Sequence, residues 1–392
     1  MSVFWIIGSL IFYVRRERGP VTYTKVTSPA PFVSILIPCY EEDEQIEETL
    51  QELMVLNYPN YEVIAINDGS SDLTEALLLF FHRKYEKLRV VNIKQNQGKA
   101  NALYYGVLAS RGEIIVTLDA DALLDRDALQ HIVPHFTTPN YGERVGAVTG
   151  NPRIRNRSSL LAKIQFIEYS SIIGLIKRSQ RIVGKVMTVS GVVAAFRKKA
   201  LLDVGFWDKD LITDDIGVTW KLQRRFWDVR YEPKALCWML VPETLKGLWR
   251  QRLRWAQGGV EVLLRHFNIF KDYRQRRLYP VYIEQVISVI WSIVWLLYMC
   301  FIFIHDFDIA LLLYGTYLAL IALIQLTISL IIDRKYEKLC FKYIIWASWY
   351  PLFYWFINVL VLLPAIPKAF KILSKQKKQY ATWQSPDRGL PK

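Results

Sequence analysis

Four short polar segments carry the residues able to do chemistry. Asn67 to Asp72 reads NDGSSD. Its Asp68 can accept hydrogen bonds from a uracil or ribose, and Gly69 lets the backbone turn sharply; an Asx-type turn capping the next helix uses the same residues. Asp119 and Asp121 flank Ala120. Two carboxylates at this spacing can hold a divalent cation, Mg²⁺ or Mn²⁺, against a diphosphate; an acidic turn before Asp125 is the plainer alternative. Thr213, Asp214 and Asp215 precede an amphipathic segment, so a carboxylate there is either an N-cap or a general base for an acceptor hydroxyl. Gln251, Arg254 and Trp255 fall at i, i+3 and i+4 of a helical pattern and share one face. Tryptophan offers a sugar an apolar stacking platform, and arginine answers a phosphate with a fork of donors. Taken alone, this pair also describes a snorkelling arginine beside an interface tryptophan.

These segments must be positioned by the elements between them. Apolar runs at Phe32–Pro38, Tyr61–Asn67, Leu88–Ile93 and Glu113–Leu118 read as buried strands. Helical patterns over Glu44–Leu56, Asp72–Tyr85 and Lys99–Ser110 separate them. The alternation predicts βαβ units and an α/β fold on a mostly parallel sheet. Such sheets bind ligands beyond the carboxyl ends of their strands, where Cys39–Glu44, Asn67–Asp72 and Asp119–Asp121 lie. Arg144 to Trp238 is less regular, of α+β type. Pro242 to His266 predicts a long helix with an apolar, tryptophan-bearing face and Lys246, Arg250 and Arg254 on another, the composition of a helix lying in a membrane interface.

Three long apolar stretches follow: Tyr282–Ile304, Ile309–Ile332 and Tyr343–Ile366. The loop His305–Asp308 lacks lysine and arginine, whereas Asp333–Lys342 has four basic residues. The positive-inside rule places the first outside and the second inside. One more straight crossing would put the tail outside, yet Lys368–Lys378 is strongly basic. The charges favour a third stretch that breaks at Pro351 and makes no simple crossing. At the N-terminus, Val3–Val14 is apolar and Arg15, Arg16, Glu17 and Arg18 follow. That run is shorter than the ~20 residues a span needs, and a signal peptide would carry its charges first. We read it as part of a membrane helix with a cytoplasmic basic flank. The organisation is thus 1–18 partial membrane helix, 30–240 cytoplasmic catalytic domain, 242–280 interfacial helix region, 281–367 transmembrane helices and 368–392 basic tail.

Among 392 residues the net charge is +14 and 52% are hydrophobic. The positive surplus suits an anionic membrane surface or a phosphate-bearing substrate. No zinc-finger or arginine-rich arm supports a nucleic-acid partner. The four cysteines, Cys39, Cys237, Cys300 and Cys340, form no CxxC and imply neither disulfide framework nor zinc site.

Asp68, the DAD at Asp119–Asp121, the TDD at Thr213–Asp215 and the QRLRW at Gln251–Trp255, in this order ahead of apolar stretches, resemble the processive family-2 glycosyltransferases. The likeness is nearest to bacterial poly-β-1,6-N-acetyl-D-glucosamine synthases of biofilm operons. It is carried by Gln97–Ala100, Val148–Arg155, Ser171–Arg178, Trp238–Gly259 and Ser385–Gly389, and covers nearly the whole chain from Phe32. The resemblance implies a GT-A-type domain and a UDP-GlcNAc donor. It implies that Asp68 contacts uridine with Cys39, Tyr40, Glu42 and Lys99 nearby, and that Asp119 and Asp121 serve metal and diphosphate. Asp215 would be the base, Gln251, Arg254 and Trp255 would hold pyrophosphate and acceptor, and Ser190, Gly191 and Val192 would lie near the acceptor. It further implies the bacterial inner membrane, a small membrane accessory subunit and regulation by cyclic-di-GMP. Three positions depart from the family pattern: Asp214 replaces a glutamate, Glu41 replaces an asparagine, and the N-terminus holds at most part of the usual two spans. Synthases of chitin, hyaluronan or cellulose type are the nearest alternatives. A silent nucleotide-binding receptor would need a cyclic-di-GMP module that combines Arg-x-x-x-Arg with Asp-x-Ser-x-x-Gly, a combination the chain lacks, and a transporter would need ionisable groups mid-membrane, where the apolar stretches offer only Glu284 near an end.

Overall fold

Runs dominated by β-branched and aliphatic residues bury both faces of a strand, and they build the centre of this molecule; the buried Ser34 and Glu62 within them satisfy each other, the hydroxyl donating to the carboxylate at 2.7 Å. The computed structural model describes residues 1–19, 30–304, 309–338 and 340–374. The 20–29 linker, the His305–Asp308 loop and the tail from residue 375, with Ser385–Gly389, lie outside them. The strands are β1 (Val33–Cys39), β2 (Tyr61–Asp68), β3 (Leu88–Ile93), β4 (Ile114–Leu118), β5 (Leu123–Leu124), β6 (Val145–Ile154), β7 (Val193–Arg197) and β8 (Asp228–Met239). They form one sheet in the order β3-β2-β1-β4-β7-β6-β8-β5. Every residue of β1, β2 and β4 is buried.

The first four strands pair in parallel, each within about two residues of its expected bounds. The second half of the sheet is mixed. β7 runs antiparallel to both β4 and β6, β6 and β8 pair in parallel, and β5 is antiparallel to β8. This reversal matters for function. It brings the start of β7 beside the end of β4, with Leu118 opposite Val193 and the Asp119 N–H donating to Val192 O at 3.2 Å.

The expected Pro242–His266 helix runs from Leu245 to His266, capped by the Thr244 side chain. Gly247, Leu248, Gln251, Arg252, Gln257–Leu263 and His266 are all buried, so this helix is packed on several sides rather than resting one apolar face on lipid. Two segments, Tyr273–Phe301 and Gly315–Asp333, are long and apolar enough to cross a membrane; the first joins the 3₁₀ stretch Tyr273–Leu278 to most of the helix Tyr279–Ile304, and the second lies within the helix Ile309–Asp333. The third apolar stretch is not one α-helix. It is a 3₁₀ segment at Cys340–Ser348, a π-helical turn at Tyr350–Tyr354 containing Pro351, and an α-helix at Trp355–Ser374. A proline removes a helix donor and clashes with the preceding turn, which accounts for the change in hydrogen bonding there.

The sheet domain is bound to these helices by buried ion pairs. Arg153 on β6 meets Asp333 at 2.8 Å. Arg178 meets Asp333 at 3.1 Å and Glu17, beyond the N-terminal helix Ser2–Phe12, at 2.8 Å. Val148–Arg155 and Ser171–Arg178, singled out in the sequence, therefore converge on one network.

Candidate active site

The carboxyl ends of β1, β2 and β4 open on the same edge of the sheet, and most of the sequence-derived residues gather there. Asp68 ends β2. Its Oδ1 accepts the Gln97 N–H at 3.1 Å and its Oδ2 the Gly98 N–H at 2.8 Å. Burial lifts its pKa above the usual carboxylate range, although the two N–H donors pull the other way. Gly69 follows with φ +72°, and a Cβ there would lie 2.8 Å from the Asn96 nitrogen. Only glycine lets this turn close on the loop before the helix Lys99–Ala109. Asp68, Cys39 and Tyr40 line a small cleft together with Lys99 and Asp119. Cys39 is buried with its thiol pKa raised by burial. Glu42 is buried, its N–H donating to Thr74 Oγ1 at 2.8 Å, and lines neither this cleft nor the larger cavity. Its charge still reaches Cys39, adding to the rise in that thiol's pKa. Glu41 takes φ +55°, the left-handed region that asparagine enters more readily than glutamate.

A cavity of about 1560 Å³ lies alongside the cleft. Lys99, Asp119, Asp121, Ser190, Gly191, Val192, Asp214, Asp215, Gln251, Arg254 and Trp255 all line it. Lys99 and Asp119 line both the cleft and the cavity: the Lys99 ammonium binds the Asp119 carboxylate and donates to Gly191 O at 3.0 Å. Burial opposes the charge on Lys99, but Asp119, Asp214 and Asp215 outweigh it and hold the ammonium above the ordinary lysine range.

Asp215 opens the helix Asp214–Arg224, with its Oδ1 accepting the Ile216 N–H at 2.9 Å. Its pKa is pushed up to about 6, by burial first and then by the neighbouring Asp214 charge, against the pull of Lys99 and Lys177. That value suits a base working near neutral pH. Gly191 packs against it; a Cβ there would be 3.3 Å from Asp215 Oδ2. Gly258 of the long helix is closer still to the same loop, since its Cβ would fall 2.0 Å from Thr213 Oγ1. The missing side chain lets the helix bearing Gln251, Arg254 and Trp255 dock on Thr213, at the start of the helix bearing Asp214 and Asp215.

Gln251 is 8% exposed, and its Oε1 has no hydrogen-bond partner within the described residues, a buried acceptor awaiting a donor. Sequence reasoning missed three groups here. Lys177 lines the cavity, donates to Thr149 Oγ1 at 3.2 Å, and has its pKa brought down to about 7 by burial. Arg252 and Glu168 form a 2.5 Å buried pair behind Trp255. Lys177 stood inside the Ser171–Arg178 stretch and Arg252 inside QRLRW, one turn before Trp255, so their positions were visible though their roles were not.

Asp119 and Asp121 offer hard oxygen donors only, and no cluster of three or more His, Cys, Asp or Glu surrounds them among the described residues. Two carboxylates open to a cavity fit a cation that completes its shell with water and phosphate oxygens, as Mg²⁺ and Mn²⁺ do.

The cavity does not stop at the sheet domain. Glu284, Gln285, Ser288, Trp291 and Ser292 of the first long apolar helix line it, as do Gln325, Trp355 and Asn358. Polar side chains on such helices are costly unless they face a protein interior or a cavity, and these face this one.

A family model described as "Glycosyltransferase like family 2" matches residues 29–258. A poly-beta-1,6-N-acetyl-D-glucosamine synthase of Staphylococcus epidermidis is 44% identical over 99% of this chain and 96% of that protein. One of Staphylococcus aureus is 46% identical over the same shares. Among solved structures, a mannosyltransferase of Pyrobaculum calidifontis in complex with GDP-Man and Mn²⁺ matches with TM-score 0.54 and 21% identity. It covers 90% of this chain and 99% of that one, a likeness that speaks for the shared fold.

Proposed function

Because this chain belongs to the family-2 glycosyltransferases, we propose that its cavity polymerises N-acetylglucosamine from UDP-GlcNAc into a β-1,6-linked glycan. It is a hexosyltransferase. The observation that carries the assignment is that Asp119, Asp121, Asp215, Gln251, Arg254 and Trp255, up to 136 positions apart, face one cavity.

The donor sugar is α-linked and the product β-linked, so one displacement inverts the anomeric carbon. Asp215 takes the proton from the acceptor's 6-hydroxyl as that oxygen bonds to the anomeric carbon and the bond to UDP breaks. Asp68, Cys39 and Tyr40 bind the uridine side. Lys99 and Arg254 meet the diphosphate as it leaves. A divalent cation held by Asp119 and Asp121 supplies charge neutralisation for the departing diphosphate. Gln251 and Trp255 hold the acceptor end, and Ser190–Val192 form the floor beside it. Alignment of acceptor, base and donor accounts for much of the acceleration.

The continuation of the cavity between apolar helices supports export of the product through the membrane that these helices cross, the bacterial inner membrane, with the sheet domain cytoplasmic. A small membrane accessory subunit, and cyclic-di-GMP acting through it, complete the proposed partners. The test is incubation of membranes carrying the protein with UDP-GlcNAc and Mg²⁺ or Mn²⁺, with and without each partner, followed by linkage-specific digestion. A β-1,6-N-acetylglucosaminidase should degrade the product. Resistance to it together with cleavage by chitinase would reassign the linkage, and polymer made only when UDP-glucose or UDP-glucuronate is supplied would reassign the sugar.

A further inference from the structure

The indole of Trp255 stands at the cavity wall, yet nothing in its own side chain fixes the tilt of the ring. The fixing comes from behind. The Arg252 guanidinium lies 4.2 Å from the Trp255 ring centroid, within stacking range of a cation on an aromatic face. Arg252 is itself held at two points. Its Nη2 pairs with Glu168 Oε2 at 2.5 Å and donates to the Tyr354 hydroxyl at 2.7 Å. Arg252 is 4% exposed and Glu168 1%, so neither is an ordinary solvated surface charge. Tyr169, next to Glu168, brings its ring to 6.2 Å from Trp255 at 51°.

The three anchors come from separate parts of the chain. Glu168 lies on the helix Leu160–Tyr169, Arg252 on the helix Leu245–His266, and Tyr354 in the π-helical turn of the third apolar stretch. Tyr350, one turn before, stacks on Tyr354 at 5.4 Å and 21°. A buried charge is costly unless paired and hydrogen-bonded, so a chain that needed only to fill this space would be better served by apolar residues. A planar guanidinium can stack on a ring while bonding in its own plane, which an ammonium cannot.

We propose that Arg252 is a positioning residue for the acceptor: held by Glu168 and Tyr354, it sets the plane of Trp255 on which the end of the growing glycan rests. The inference builds on the reading of Trp255 as the acceptor platform. Arg252 itself lines the cavity beside Trp255; the role assigned to it here is exerted through the ring it stacks on.

The test uses full-length protein in membranes, with UDP-GlcNAc as donor and a short β-1,6-N-acetylglucosamine oligomer as acceptor. Arg252→Lys keeps the charge and loses the planar stack. The expected result is an acceptor KM raised about tenfold, a donor KM within twofold of wild type, and shorter products. Tyr354→Phe, which removes one anchor only, should move the same quantities less. Trp255→Ala separates the two levels of the argument. If it leaves acceptor KM and product length unchanged, the platform reading itself falls. If it changes them while Arg252→Lys does not, the positioning role is overturned and the platform stands. Arg252→Lys lowering kcat with both KM values unchanged would also overturn it. A loss of folding in Arg252→Lys is read from its thermal melt. In that event Tyr354→Phe decides alone: an unchanged acceptor KM rejects the proposal.

Discussion

The nucleotide side of the molecule and its acceptor side are built by different forces. On the nucleotide side, β1 to β4 are joined by an unbroken parallel hydrogen-bond ladder, and Asp68 is held by two backbone N–H groups. On the acceptor side, side chains make the decisive contacts: the Arg153–Asp333–Arg178–Glu17 network, the Glu168–Arg252 pair and the close approach of Gly258 to Thr213. Backbone scaffolds tolerate side-chain substitution, whereas a buried charge network fails when one member goes. The half proposed to hold the growing glycan is therefore also the half most sensitive to single substitutions.

The sharpest way to break this contrast is at its seam, at the proposed base Asp215 on the cavity wall. Asp215→Asn keeps the shape and removes the base. Polymer formation should drop by at least ~10³-fold, within the range general-base catalysis supplies, while UDP binding measured by calorimetry stays within a few-fold. Near-normal synthesis in that variant would remove Asp215 from the base role.

Next is the network itself. Arg153→Met leaves Asp333 with less compensation in a buried site, and loss of one member of such a cluster costs about 3–5 kcal/mol. A chemical melt in detergent should register it as a lowered midpoint. By contrast Ser71→Ala, which loses only an exposed 3.1 Å bond to Glu41 on the nucleotide side, should stay within about 0.5 kcal/mol of wild type. Equal effects would dissolve the distinction between the halves.

How much of each half was readable follows from the same difference. The β1–β4 unit was legible because its signals are local: apolar runs, helical periods and polar strand ends recur at short spacing. Asp119, Asp121 and Lys99 came together because a parallel sheet places strand ends on one edge. The antiparallel β7, the multi-sided packing of Leu245–His266 and the Arg153–Asp333 pair depend on contacts across tens to hundreds of residues, which no local period records. Glu42 sits in the loop that the sequence marked, its charge reaching Cys39, but only the fold shows its N–H donating to Thr74. Arg252 is a parallel case, a residue whose spacing to Trp255 was in plain view while its partners Glu168 and Tyr354 were not.

Gly258→Ala tests whether the two halves must meet closely. The new Cβ would overlap Thr213 Oγ1, Cγ2 and Cβ, so the long helix must move away from the Asp215 loop. A displacement near 1 Å can cost about 10²-fold in rate, and that is the loss expected in UDP release. Thr213→Gly in the same chain should recover part of it by vacating the space, a coupling that two independent defects would not give.

The smallest effect is the most specific to the chemistry. Asp215 has its pKa near 6 and must be ionised to accept a proton. The rate kcat/KM should therefore be level above that pH and fall about tenfold per unit below it, as protonation takes the base out of action. Lys177 is among the charges that pull this pKa down. Lys177→Met removes the pull, so the acid limb should move to higher pH while the plateau at high pH is largely kept. The opposite displacement, or none, would mean that the Lys177 charge does not reach the base, and that its hydrogen bond to Thr149 is its whole contribution.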